Sequence, residues 1–149
     1  MNEYDEILKG FRHFAKAREI FAKYKGKWFS GNDNHVGDIG EYWAIRHFLD
    51  KKPKLAPNRI SPFDFELQNG TRFSVKTMST WNQRGRSTPI KGINVKNWHY
   101  LIAVKLNKSF DVEQFCVVPA REIRKRVAEG TQFKWWTWLE EFQVEFAPK

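Results

Sequence analysis

One cysteine, Cys116, stands among 149 residues. That excludes an internal disulfide and leaves too few thiols for a structural zinc site. The four histidines, His13, His35, His47 and His99, are scattered and do not restore metal-ligand spacing. No apolar run approaches the roughly 20 residues a membrane-crossing helix needs. The first residues include acids and lack the apolar core of a signal peptide. A protein of the reducing cytoplasm, away from membranes, is expected. No glycine-rich phosphate loop occurs, so no nucleotide cofactor is expected either. Acid is scarce as well: 17 Asp and Glu against 26 Lys and Arg give a formal charge of +9, with a pI near 9.7. Such a surface attracts polyanions and makes their binding salt-dependent.

What is present is spread along one continuous chain without repeats, low-complexity tracts or a linker. Its length suits a single domain with a sizeable core. That domain divides into a helical N-terminus (1–36), a core (37–130) and a tryptophan-rich end (131–149). Tyr4, Ile7, Leu8, Phe11, Phe14, Ala15, Phe21 and Ala22 recur at helical spacing and predict an amphipathic helix over 2–24. A polar loop follows over 25–36. A second helix is expected over 38–49, ending before Lys51-Lys52-Pro53. Strands are expected over 98–106 and 112–118, joined by a turn at 107–111. Pro119 suits the first position of a helix running to Ala128. Its basic face (Arg121, Arg124, Lys125, Arg126) reads as solvated. Trp135, Trp136 and Trp138 read as a lid on the core.

The segment between these parts carries the chemistry. From Phe63 to Leu67 residues alternate, so Phe63, Phe65 and Leu67 share one face and Asp64 and Glu66 the other. From Thr71 to Thr77, Phe73 and Val75 point one way, Arg72, Ser74 and Lys76 the other. Asn69-Gly70 between the two runs predicts a tight hairpin. If the apolar faces share the core, Asp64, Ser74 and Lys76 emerge together. In the helix before them, Asp38, Glu41, Ile45 and Phe48 form one stripe, with Gly37 and Gly40 permitting close backbone approach. Acids at a helix start also have a simpler explanation in the helix dipole.

Glu41, Pro62-Phe63-Asp64 and Ser74-Val75-Lys76, in this order of helix, strand and strand, resemble the PD-(D/E)XK nuclease superfamily. The resemblance covers roughly residues 37–118. It implies an α/β fold with a restriction-endonuclease-like core, a central mixed β-sheet flanked by α-helices. It implies an endonuclease that hydrolyses DNA phosphodiesters with Mg²⁺ or Mn²⁺, restriction-like or junction-resolving. Asp64 and Glu41 would hold the metal with the Val75 carbonyl, and Lys76 would orient or activate water. Phe63 is an inserted residue between Pro62 and Asp64, and one departure is serious: Ser74 stands where the family has a second acid. A hydroxyl is a weak neutral ligand, whereas Mg²⁺ prefers hard anionic oxygens. Glu41 or Glu66 could supply the relocated carboxylate; the alternative is a catalytically inactive nuclease fold that binds nucleic acid or a partner protein. A third reading is an unrelated basic binding module in which Asp64 and Lys76 form only a salt bridge.

Residues 78–92 read as a long loop leaving the lysine strand. Its Trp81, Asn82, Gln83, Arg84 and Arg86 are the expected nucleic-acid contacts, since arginine forks onto phosphate or guanine, amides read adenine and tryptophan stacks. A homodimer is expected from one site facing a two-stranded substrate. DNA and RNA remain open, as do specific, branched and damaged substrates.

Overall fold

The computed structural model describes residues 2–29, 35–58, 61–79 and 92–149. Helix α1 spans Glu3–Tyr24; the Asn2 side chain accepts a 2.9 Å bond from the Asp5 amide, and Glu3, Asp5 and Glu6 occupy its first turn. This is cap and dipole chemistry working together. Helix α2 spans His35–His47, beginning three residues earlier than the sequence suggests, and a 3-10 turn at Leu49–Lys51 follows. Five strands come next: β1 (Lys54–Leu55), β2 (Phe65–Glu66), β3 (Arg72–Ser79), β4 (Tyr100–Leu106) and β5 (Val112–Pro119). The short helix α3 (Ala120–Arg126) leads to a 3-10 segment at Thr137–Phe142.

The strands form one sheet in chain order, β1-β2-β3-β4-β5. Among the described strands, β3 and β4 pair in parallel and the other neighbours pair antiparallel. The expected α/β architecture, a mixed sheet flanked by helices, is therefore what the chain adopts. The predicted hairpin is present: the Gly70 amide bonds to the Leu67 carbonyl, and Gly70 takes φ +85°. Parallel pairing of β3 with β4 demands a long crossover. That requirement accounts physically for a long connection after β3, whatever else it does. Met78 and Ser79, expected in that connection, belong to β3.

Both sheet faces are covered. Ala44 and Ile45 of α2 pack with Phe65, Phe73, Ile102 and Phe115 on one face. On the other, Leu101, Ala103, Cys116 and Val118 meet Trp98, Ile123, Phe133 and Leu139. Trp135, Trp136 and Trp138 pack against this second cluster, as a lid would. The arginines of α3 are not simply solvated: Arg124 donates to the Val95 carbonyl at 3.0 Å, and Arg126 lies over the Trp138 ring at 4.9 Å and pairs with Glu141. Helix α3 starts one residue later than expected because β5 runs through Pro119, and it ends two residues earlier, at Arg126. Among the described residues, no helix is long and apolar enough to cross a membrane.

Candidate active site

Two sequence-level expectations need correction before the site makes sense. Strand β2 is two residues long and does not span Phe63 to Leu67. Pro62, Phe63 and Asp64 form a bend instead. Phe63 therefore leaves the Phe65 face and packs with the second cluster, where the Arg72 guanidinium lies 4.6 Å above its ring. Nor is the Ser74 and Lys76 face bare: Ser74 is buried and Lys76 half-buried, on the side of the sheet that packs with α3 and the tryptophan-rich segment. The opening lies at a strand edge.

Register shows why. Phe65 pairs with Phe73 and Glu66 with Arg72, and the Asp64 amide still bonds to the Phe73 carbonyl at 2.8 Å. Beyond that rung the bend draws the chain away from β3. The next inward-facing donor on β3, the Val75 amide, is taken by the Asp64 carboxylate at 2.6 Å. A side chain has replaced a strand. In an extended chain the N–H and C=O of one residue point the same way. The Val75 carbonyl therefore faces the same opening as the Asp64 carboxylate.

Burial pushes the Asp64 carboxyl above the usual carboxylate range. The Val75 amide, the Lys76 charge and the Ser74 hydroxyl all pull in the opposite direction. Ser74 and Lys76 are the two that alternation places beside Asp64; the Val75 amide joins them through the bend. Glu66 is one rung further out and is held by Arg72 in a 3.1 Å ion pair. Glu41 is buried on α2, at 7 % exposure, next to Asp38 at 1 %. Helix α2 lies over the Phe73 and Val75 face, so Glu41 approaches β3 from the side opposite Lys76. Gly40 sets that approach: a Cβ there would overlap the Thr77 side chain.

A cleft of about 430 Å³ opens at Asp64, lined also by Lys25, Lys54, Asn58 and Ser61. Alternation in the hairpin could not reveal these residues, since Lys25 follows α1 and Lys54 lies on β1. Only the general excess of base hinted at the two lysines. Among the described residues, no three His, Cys, Asp or Glu side chains gather as a ready-made metal cage. Mg²⁺ does not require one, since it keeps several waters and uses one or two carboxylates plus substrate phosphate. A buried carboxylate with an adjacent backbone carbonyl fits that sparse donor set. Trp81, Asn82, Gln83, Arg84 and Arg86 lie outside the described residues.

No protein-family model and no curated protein sequence matches the chain. Among solved structures, it is similar to a bacterial homing endonuclease, I-Ssp6803I, with a TM-score of 0.53 and 12 % identity. The match covers 75 % of this chain and 88 % of that one. At such identity the likeness is one of fold: this mixed sheet with its flanking helices is a scaffold that an endonuclease also uses.

Proposed function

We propose that the chain is a metal-dependent endonuclease of the PD-(D/E)XK type acting on DNA, formed as a single domain. The observation that carries this reading is the Asp64 carboxylate at the opened β2–β3 edge, bonded to the Val75 amide and flanked by Ser74 and Lys76. The nuclease fold of the structural neighbour and the net charge of +9 support it. Asp64 and the Val75 carbonyl would hold Mg²⁺ or Mn²⁺, with Glu41 the second carboxylate. When bound, such an ion lowers the pKa of a coordinated water and offsets charge on phosphate oxygens. Lys76 positions the attacking water and stabilises negative charge building on the phosphate. Lys25 and Lys54, along the cleft, attract the backbone on either side of the scissile bond. Trp81, Asn82, Gln83, Arg84 and Arg86 would contact the bases.

Ser74 favours a second reading. Its hydroxyl bonds to Asp64 where a second acid would strengthen metal binding, which suits a fold that binds DNA without cutting it. Cleavage of supercoiled plasmid, linear duplex and four-way junction with Mg²⁺ or Mn²⁺ separates the two. The nuclease reading expects metal-dependent cutting, reduced about 10²- to 10³-fold or more in Lys76→Ala. It also expects a thermal upshift with Mn²⁺ that Asp64→Asn abolishes. Binding of all three DNAs with no cutting under either metal transfers the assignment to the silent fold.

A further inference from the structure

Helix α1 is the longest element of the structure, and none of its residues is buried. Tyr4, Phe11 and Phe14 are 78 %, 66 % and 58 % exposed. Among the described residues, its ring contacts with the rest of the chain come from the middle and later turns, where Phe14 meets His35 edge-on at 5.7 Å and Phe21 meets Phe29 at 5.5 Å. Helices in proteins owe most of their stability to packing of an amphipathic face, so an apolar stripe left bare over its first half lacks the burial that normally holds such a helix.

The stripe follows a seven-residue repeat. Tyr4, Phe11 and Arg18 fall on one position of the repeat, and Ile7, Phe14 and Phe21 on the next core position, three residues later. Leu8, Ala15 and Ala22 flank them, while Lys9, Lys16 and Lys23 recur on the same period along the outer face. That is the pattern of a helix–helix seam with a solvated back. We propose that α1 is a self-association element through which two copies of this chain pair, with their α1 helices antiparallel.

Charge selects both the occupant and its direction. The helix begins with Glu3, Asp5 and Glu6, and its end leads into Lys23, Lys25 and Lys27. A parallel pair would set acid against acid and base against base. An antiparallel pair sets each acidic start against the other copy's basic end, which a second copy supplies by symmetry. The repeat also closes in this direction: Tyr4 faces Phe21 of the other copy, Phe11 faces Phe14, and Ile7 lies along the stem of Arg18, whose guanidinium reaches water. Gly10 and Ala17 on the seam's other flank allow close approach. An apolar cleft of about 410 Å³, lined by Ile20, Tyr24, Trp28, Phe29, Ile39 and Tyr42, lies where the incoming N-terminal turns of the second copy would arrive.

This pairing does not depend on the nuclease reading, although it would place two Asp64 sites in one particle. Sedimentation velocity of the full chain, from low to high micromolar concentration, tests it. The expected result is a dimer for wild type and a monomer for Phe11→Glu and for Tyr4→Glu, with near-UV circular dichroism of the core tryptophans unchanged. A wild-type chain that stays monomeric, or glutamate variants that remain dimeric, overturns the proposal. Orientation is read by oxidising Gly10→Cys chains mixed with Ala17→Cys chains. Crosslinks between the two kinds of chain are expected to dominate. Efficient crosslinking within Gly10→Cys alone would mean parallel helices and overturn the antiparallel arrangement.

Discussion

The two main helices each carry an apolar stripe and meet opposite fates. Helix α1 has 22 residues and buries none, whereas α2 has 13 and buries Asp38, Gly40, Glu41, Ala44 and Ile45. The stronger amphipathic signal thus belongs to the helix that the fold covers least. Periodicity reports that a face wants covering, not what covers it. Small residues decide the matter in α2: with only hydrogen at Gly40, the helix sinks onto Thr77 and brings two carboxylates beneath the surface.

Mutations can sharpen that contrast, starting where the fold is densest. Phe65 is fully buried and stacks on Phe73 at 4.9 Å. Phe65→Ala should destabilise by about 3–5 kcal/mol, read as a fall in the denaturant midpoint. Gly40→Ala should cost about 1–3 kcal/mol by forcing α2 away from β3. The nuclease proposal further expects a larger fractional loss of DNA cutting than of stability, because Glu41 moves with the helix. A third test uses pH. Burial, followed by the nearby charges of Lys149 and Lys51, lowers the His47 pKa below its ordinary value. The unfolded chain then takes up a proton that the folded chain resists. Stability should fall as pH drops through about 6.5, with no contribution from this group above it. His47→Gln, which keeps an acceptor for the Ala147 amide, should flatten that acid limb in thermal melts at stepped pH. The smallest effect belongs to α1: Phe11→Ala should change the stability of the monomeric chain by no more than about 0.5 kcal/mol. A large loss there would mean that α1 is a structural part of the fold, like α2.

Much of this arrangement was legible in the sequence, for identifiable reasons. Asn69-Gly70 fixed the hairpin because few other residues tolerate the positive φ it needs. Alternation placed Ser74 and Lys76 on one side of β3, and the structure keeps them there beside Asp64. Alternation failed at Phe63, since period-2 reasoning presumes a continuous strand and Pro62 begins a bend. The separation of Glu41 from Lys76 by the thickness of the sheet was equally hidden. It depends on which face receives α2, and Gly40 reveals that only once Thr77 is known to lie beneath it. Lys25 and Lys54 belong to the cleft through tertiary approach alone, which local pattern cannot encode. The second cover, over Leu101 and Ala103, was suggested by the tryptophans near the C-terminus but not tied to the Lys76 face.

The exchange of a strand for a side chain at Val75 has an experimental consequence. A backbone amide that donates to a carboxylate instead of a carbonyl senses the charge on that carboxylate directly, because charge-assisted hydrogen bonds are the stronger kind. The Val75 cross-peak in a ¹⁵N–¹H spectrum should therefore move as Asp64 gains or loses its proton, and the nuclease proposal expects it to move again when a divalent ion is added. One resonance, from a residue with an inert side chain, would serve as a built-in gauge of the site's ionisation without any label on the acidic groups themselves.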